Sequence, residues 1–306
     1  MLTAILLVLA GLVGLAIGGE ALVRGAVGIA QRAGISNLVT GLVIVGFATS
    51  MPEMVTSVQA ALSGSPEIAW GNIVGSNIAN TLLILGAAAL VMPIVLKGAG
   101  RRDAVVALLA TLAIWALAFS GYGAVWIGLV LLGLLGAYIY WRLNHPRPDL
   151  AEEEEDIGGS LAKSILFFAI GVGVLIAGGN ALVSGAIDLA RLFGVSETVI
   201  GLTIVAIGTS LPELAASVAA ALRGKAGLAL GNVVGSNIFN LLLIGGVTMT
   251  IAPLPIPVEL VDFEFAVVAG SAVLLLGMCW FAHRIGRLLG LAMLAGFAAI
   301  NVALFL

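Results

Sequence analysis

The sequence predicts an all-α integral membrane protein: ten transmembrane helices arranged as two inverted five-helix repeats. Three observations carry the prediction. Of the 306 residues, 61% are hydrophobic and only 9% are charged, whereas a soluble globular chain carries about a quarter charged residues. Apolar stretches of about 20 residues, the length that crosses a bilayer, recur along the whole chain. The third observation is an internal repeat, which has to be settled before any other reading. The stretch Gly41–Gly86, GLVIVGFATSMPEMVTSVQAALSGSPEIAWGNIVGSNIANTLLILG, returns without a gap as Gly201–Gly246, GLTIVAIGTSLPELAASVAAALRGKAGLALGNVVGSNIFNLLLIGG.

The first span covers 2–19. It is apolar from the start, with no basic leading region and no cleavage site, and so reads as a span and not a signal peptide. Spans two and three, 38–62 and 69–95, hold the first copy of the repeated stretch. Spans four and five, 104–120 and 123–142, complete the first half, 1–142. The sixth span, 163–180, opens the second half, 163–306. Its end matches that of the first: GGEALVRGA from Gly18 reads against GGNALVSGA from Gly178. Both helices are expected to run further, through Val23 and Val183, as amphipathic extensions. Spans seven and eight, 197–222 and 228–252, hold the second copy. Spans nine and ten, 262–282 and 287–305, close the chain. Between the halves, residues 143–162 carry Pro146, Pro148, the run Glu152–Glu155 and two glycines, the composition of a solvated linker.

Five is an odd number, so a first half that starts outside ends inside, and the second half must be upside-down relative to it. This is the inverted-repeat plan of many secondary transporters, whose sites lie near the midplane at the repeat interface. The basic residues test the orientation. With the N-terminus outside, Arg24, Arg32, Lys97, Arg101, Arg102, Arg142, Arg147, Lys163, Arg223, Lys225, Arg284 and Arg287 all fall inside, and only Arg191 falls outside. That bias puts both termini outside and the linker in the cytoplasm of a cell (inner) membrane. The tryptophans Trp70, Trp115, Trp126, Trp141 and Trp280 suit interfacial anchoring. No basic patch suggests nucleic acid, and the single cysteine, Cys279, excludes an internal disulfide.

A carboxylate at mid-membrane depth is a functional candidate by default. Glu53 and Glu213 each lie about a dozen residues into a span and follow a proline. Pro52 and Pro212 lack the N–H a helix needs, so nearby carbonyls lose their donors. Inside a membrane such carbonyls persist only in protein or beside a polar cavity. Thr49, Ser50, Thr209 and Ser210 add hydroxyls at the same kinks. On the following span Ser76 and Asn80 share a helical face, as do Ser236 and Asn240, and Asn72 and Asn232 extend it. Gly71, Gly75, Gly231 and Gly235 permit close helix approach. Ser76 and Ser236 alone would suit packing as well as a site. Ser57 and Ser217 read as packing, and Asn77 and Asn237 as interhelical bonds off that face. The set is all oxygen, flexible and anionic, with His145, His283 and Cys279 remote, which favours hard cations such as Ca²⁺ or Na⁺ over zinc or copper. Two adjacent carboxylates repel, and either one Ca²⁺ or competing Na⁺ or H⁺ can neutralise them.

The paired motifs, G-T-S-L-P-E with G-N-x-x-G-S-N-I-x-N in both halves, resemble the repeats of the sodium/calcium exchanger family, in its compact prokaryotic form. The resemblance implies Ca²⁺ held by Glu53 and Glu213 with the carbonyls of Thr49 and Thr209. It implies Na⁺ sites lined by Ser50, Ser76, Ser210 and Ser236 with the carbonyls of Gly46 and Ala206, and Asn80 and Asn240 at the centre. It also implies that the first and sixth spans slide over the core, for which Gly11–Gly19 and Gly171–Gly179 would offer a smooth face. Two departures are visible. Ala48 and Met51 replace the usual Gly and Leu of the first copy. Asn240 stands where many members, K⁺-dependent ones included, carry Asp, which argues against K⁺ co-transport. The reading is a Na⁺/Ca²⁺ antiporter, with an H⁺-coupled or K⁺-dependent cation/Ca²⁺ antiporter as the alternative and a passive cation channel behind both. No enzyme motif occupies a span core, no cofactor is called for beyond the transported ions, and nothing requires a protein partner.

Overall fold

The computed structural model describes residues 1–145, 160–194 and 206–304. Most of the predicted linker, with its acidic run and Arg147, and the first part of the seventh span lie outside the described residues. Helix α1 is one continuous rod, Leu2–Ala33, ended by Gly34 in the left-handed conformation (φ 64°), whose N–H caps the Ala30 carbonyl. Next come α2 (Asn37–Thr49) and α3 (Met51–Leu62), bent by 45° at Ser50. The rest of the first half is α4 (Pro66–Val91), β1 (Ile94–Val95), α5 (Arg101–Ser120) and α6 (Val125–Asn144). The second half holds α7 (Leu161–Leu192), α8 (Ala206–Gly208), α9 (Leu211–Leu222), α10 (Ala226–Ile251), α11 (Glu259–Phe281), β2 (Arg284–Ile285) and α12 (Arg287–Leu304). Seven described helices are long and apolar enough to cross a membrane, the bent pair α2–α3 makes an eighth, and α9 and α12 are shorter apolar helices at the two remaining predicted positions.

Helices α1 and α7 reach well past the predicted ends at 19 and 180. At 32 residues each and about 1.5 Å per residue, they exceed the roughly 30 Å hydrocarbon thickness. They lie against each other along their length, because glycines recur every seventh residue on the facing sides. A Cβ on Gly11, Gly18 or Gly25 would run into the backbone near Leu182, Leu175 or Phe168. The same holds for Gly171, Gly178 and Gly185 against α1. These glycines therefore serve the α1–α7 contact, contrary to the expectation that they form a sliding face toward the core. Gly19 and Gly179 face α9 instead: the Cβ position of Gly19 lies 3.0 Å from the Ala215 carbonyl oxygen, and that of Gly179 lies 3.8 Å from Leu211 Cβ.

The centre is built by α4 and α10, whose most apolar windows are 78% and 94% buried, against 22–39% for the other long helices, whose outer faces meet lipid. Helix α10 packs on α2, where Gly231 and Gly235 let its backbone meet Leu38, Gly41 and Leu42. The equivalent contact of Gly71 and Gly75 would fall on residues outside the described set. Helix α6 covers α10, α12 covers α4, and α5 pairs with α11. At one end β1 and β2 pair antiparallel, Ile94 opposite Ile285. Beside them Arg101 donates to the carbonyls of Cys279 (3.1 Å) and Trp280 (3.0 Å), capping the end of α11.

Two expectations are corrected by this packing. Trp70 is not an interfacial anchor: it is 1% exposed, and its ring fills the space beside Gly245. Arg142 is not a loop cation. It is buried in the last turn of α6, where its Nε lies 3.0 Å from Asp103 Oδ1. Tyr138 donates to the same oxygen at 2.8 Å, so the pair satisfies itself inside the α5–α6 contact.

Candidate functional site

Each kink is a local consequence of sequence. Pro52 and Pro212 sit at the second position of α3 and α9, where proline is tolerated. They give no N–H to the carbonyls four residues earlier, those of Ala48 and Gly208. Ser50 and Ser210 fall out of helical geometry, with ψ near 4° and 6°. The kinks therefore place Glu53 and Glu213 in the first turn of a new helix at mid-chain depth, where the helix dipole favours negative charge. Among the described residues three π-helical segments accompany them: Thr40–Val45 before the first kink, and Ala79–Ile84 and Phe239–Ile244, which carry Asn80 and Asn240. Such segments often mark functional sites, and no sequence pattern announced these.

The two half-sites are crossed. Ser50 donates to Glu213 Oε1 at 3.1 Å, and Ser210 donates to Glu53 Oε1 at 3.0 Å. Each carboxylate is thus held by a hydroxyl from the other repeat. Thr49 shares its hydroxyl between the Val45 carbonyl (3.0 Å) and Asn232 Oδ1 (3.2 Å), and Thr209 points its own at Asn72 Oδ1 (3.5 Å). The expected residues Thr49, Ser50, Glu53, Ser76, Asn80, Ser210, Glu213, Ser236 and Asn240 are all buried, at 4% exposure or less, and Thr209 is half-buried. Of the expected backbone ligands, Gly46 gives its carbonyl to the Ser50 N–H at 3.1 Å, keeping one lone pair. At the second kink the Ser210 N–H bonds Ile207 instead, which leaves the Ala206 carbonyl outside that bond.

Several buried atoms at this centre have no protein partner: Glu53 Oε2, Glu213 Oε2, Ser236 Oγ, and both amide atoms of Asn80 and Asn240. A buried carboxylate oxygen left unpaired costs several kcal/mol unless a cation or proton meets it. The chemistry on offer is oxygen from carboxylate, amide, hydroxyl and carbonyl. Among the described residues no group of three or more His, Cys, Asp or Glu converges; an all-oxygen set of this kind suits a hard cation.

Asn77 bonds the Ile73 carbonyl of its own helix at 2.7 Å, not a neighbouring helix as expected, whereas Asn237 makes the expected interhelical bond, to the Thr81 hydroxyl at 3.0 Å. Ser57 and Ser217 do more than pack. They accept from Asn72 and Asn232, both at 2.9 Å. The repeat contained the signal for this pairing, since Asn and Ser recur together in both copies, but spacing alone does not say which hydroxyl an amide meets.

Comparison with known proteins identifies the family and the fold. The family described as Sodium/calcium exchanger protein matches residues 3–144 and 163–306. The putative antiporter CaxA of Alkalimonas amylolytica is 37% identical over 100% of this chain and 99% of its own. The sodium/calcium exchanger MaX1 of Methanosarcina acetivorans is 32% identical, covering 98% of each chain. A structure of the sodium-calcium exchanger NCX_Mj, soaked with 10 mM Na⁺ and 10 mM Sr²⁺, superposes with a TM-score of 0.85 at 32% identity, covering 97% of both chains.

Proposed function

The chain belongs to the sodium/calcium exchanger family, is a multi-pass cation/Ca²⁺ antiporter and no enzyme, and on that premise we propose that its coupling ion is Na⁺ and its Ca²⁺ ligands are Glu53 and Glu213. The observation that carries the reading is the pair of buried, unpartnered carboxylate oxygens at the crossing of the two repeats, Glu53 Oε2 and Glu213 Oε2. Two carboxylates are neutralised by one Ca²⁺ or by two monovalent cations, so the ions compete for one charge balance, and competition at a shared site is the basis of exchange. Gly46, Thr49, Ser50, Ser76, Asn80, Ala206, Thr209, Ser210, Ser236 and Asn240 supply the remaining oxygens. Their hydroxyls and carbonyls suit Na⁺ beside a central Ca²⁺ that wants 6–8 oxygens.

The division into 1–142, a linker at 143–162 and 163–306 is part of this proposal, as is the orientation with both termini outside a cell (inner) membrane. The one-sided distribution of basic residues supports that orientation. The end bearing β1–β2, Arg101 and Arg223 then faces the cytoplasm, and the inward Na⁺ gradient drives Ca²⁺ out.

The test is Ca²⁺ uptake into Na⁺-loaded proteoliposomes diluted into Na⁺-free, K⁺-free buffer, with Glu53→Gln and Glu213→Gln beside the wild type. Uptake that needs internal Na⁺ and vanishes in both variants is expected. Uptake indifferent to Na⁺ but driven by an imposed pH gradient would replace Na⁺ by H⁺, and uptake without any counter-ion would sink the antiport reading.

A further inference from the structure

The face of α4 that carries Asn80 also carries Asn72, and the same face of α10 carries Asn240 and Asn232. The structure treats the two amides of each helix in opposite ways. Asn80 and Asn240 have no partner at either amide atom. Asn72 and Asn232 use both ends. Asn232 donates from Nδ2 to the Glu213 carbonyl (3.3 Å) and to Ser217 Oγ (2.9 Å), and its Oδ1 accepts from Thr49 of the other repeat at 3.2 Å. Asn72 donates to the Glu53 carbonyl (3.2 Å) and to Ser57 Oγ (2.9 Å), and its Oδ1 faces Thr209 of the other repeat at 3.5 Å. On this face of each helix one amide is open to an ion, and the other is spent on protein.

These bonds close into two circuits. From the Glu213 carbonyl the first runs through Asn232 to Thr49, passes along the chain to Ser50, and returns from Ser50 Oγ to Glu213 Oε1. Its mate runs from the Glu53 carbonyl through Asn72 to Thr209, on to Ser210, and back to Glu53 Oε1. Each glutamate is therefore pinned at its main chain and at its carboxylate by one loop through the opposite repeat. We propose that Asn72 and Asn232 are positioning residues for ion binding: they touch no ion, but fix the direction of Glu53 and Glu213 and make each half-site depend on the other. Outer partners that orient ligands act this way in metal sites generally, where their loss costs about 10–100-fold in affinity.

The circuits are unequal. The one through Asn232 is wholly buried and its cross-repeat bond is 3.2 Å. The one through Asn72 is half-buried with a 3.5 Å contact. Asn232 is the stronger brace.

This inference rests on the proposed ion site, and the experiment separates the two. Purified protein is melted with and without Ca²⁺ in Na⁺-free buffer, and the apparent KM and maximal rate of Ca²⁺ uptake are measured. The variants are Asn232→Ala, Asn72→Ala, Thr49→Val, Thr209→Val and the doubles. Asn232→Ala is expected to raise the Ca²⁺ KM about tenfold with the maximal rate within about twofold, and Asn72→Ala to raise it less. The crossed double Asn232→Ala with Thr49→Val should be no worse than its more severe single, because one bond serves both residues. Asn232→Ala with Thr209→Val, which opens both circuits, should be worse than either single. Multiplicative behaviour in the crossed pair overturns the circuit. A lower melting temperature without Ca²⁺, at unchanged KM, overturns the positioning role and leaves a structural brace. If Ca²⁺ fails to stabilise the wild type at all, the ion-site reading falls and takes this one with it.

Discussion

The contact between α1 and α9 has a repeat mate, the approach of α7 to α3, and the two differ. Helix α1 packs along α9, with Gly19 seated on Ala215 and Ala219. Helix α7 makes almost no contact with α3. No atom of α3 lies within 4 Å of a Cβ on Gly179, and Val55, the mate of Ala215, is 61% exposed. Charge follows the same division. Glu20 forms an ion pair with Arg223 across the closed side, with Nε to Oε2 at 2.8 Å, and a second with Arg24 at 3.1 Å. The residues 160 positions away are Asn180 and Ser63, which cannot form that pair. Two repeats of the same plan thus adopt one closed and one open arrangement about the same central residues. In an inverted-repeat transporter, symmetry in sequence permits alternating access, and asymmetry in packing is what any single state must show.

The comparison can be broken at four places. The largest effect belongs to the glutamates, where the halves are most alike. Glu53→Gln and Glu213→Gln should each abolish Ca²⁺ flux, and a large difference between them in the uptake assay would mean that the halves are not equivalent at the site. Next comes a feature found in one half only. Asp103 has Phe263 as its mate, so Asp103→Asn leaves Arg142 buried and uncompensated. It should lower stability by about 3–5 kcal/mol, read as a drop in melting temperature. Third is a matched glycine pair. Gly19→Ala meets the Ala215 carbonyl at 3.0 Å and should disfavour the closed contact by about 1–3 kcal/mol. Gly179→Ala, whose nearest neighbour is 3.8 Å away, should be silent. Alkylation of Cys introduced at Ala215 measures both, and equal labelling would contradict the asymmetry. Smallest is Glu20→Gln. A partly exposed ion pair contributes up to about 1 kcal/mol, so labelling at Ala215→Cys should rise by no more than about fivefold. It should fall back in the charge-swapped Glu20→Arg, Arg223→Glu chain. No change in either would show that the pair does not hold the closed side.

Much of this was legible in the sequence. The spans followed from hydropathy. The site face followed from helical spacing of Ser76 with Asn80 and of Ser236 with Asn240, and the kinks followed from Pro52 and Pro212. The misses have a common cause. Trp70 and Arg142 were assigned by residue type and distance from a span end, but their places depend on Gly245 and Asp103, which lie far along the chain. Of the α1 glycines expected to face the core, Gly11 and Gly18, seven residues apart, meet α7 instead, while Gly19 does face α9.

What the sequence determined alone was everything set by local period and by the repeat: ten membrane helices in two inverted halves, a proline before a carboxylate in each, and a set of oxygen-bearing side chains common to both copies. What only the tertiary structure decided was pairing. That each glutamate is held by the serine of the other repeat, that Asn232 reaches Thr49 of the other repeat while Asn240 is left without partners, and that α1 closes on α9 while α7 stands away from α3 are facts about residues in different repeats. A helical pattern fixes which residues share a face. Which face meets which, and which of the two repeat-related contacts is closed, depends on how helices of the same pattern pack, and a repeated pattern is compatible with either choice.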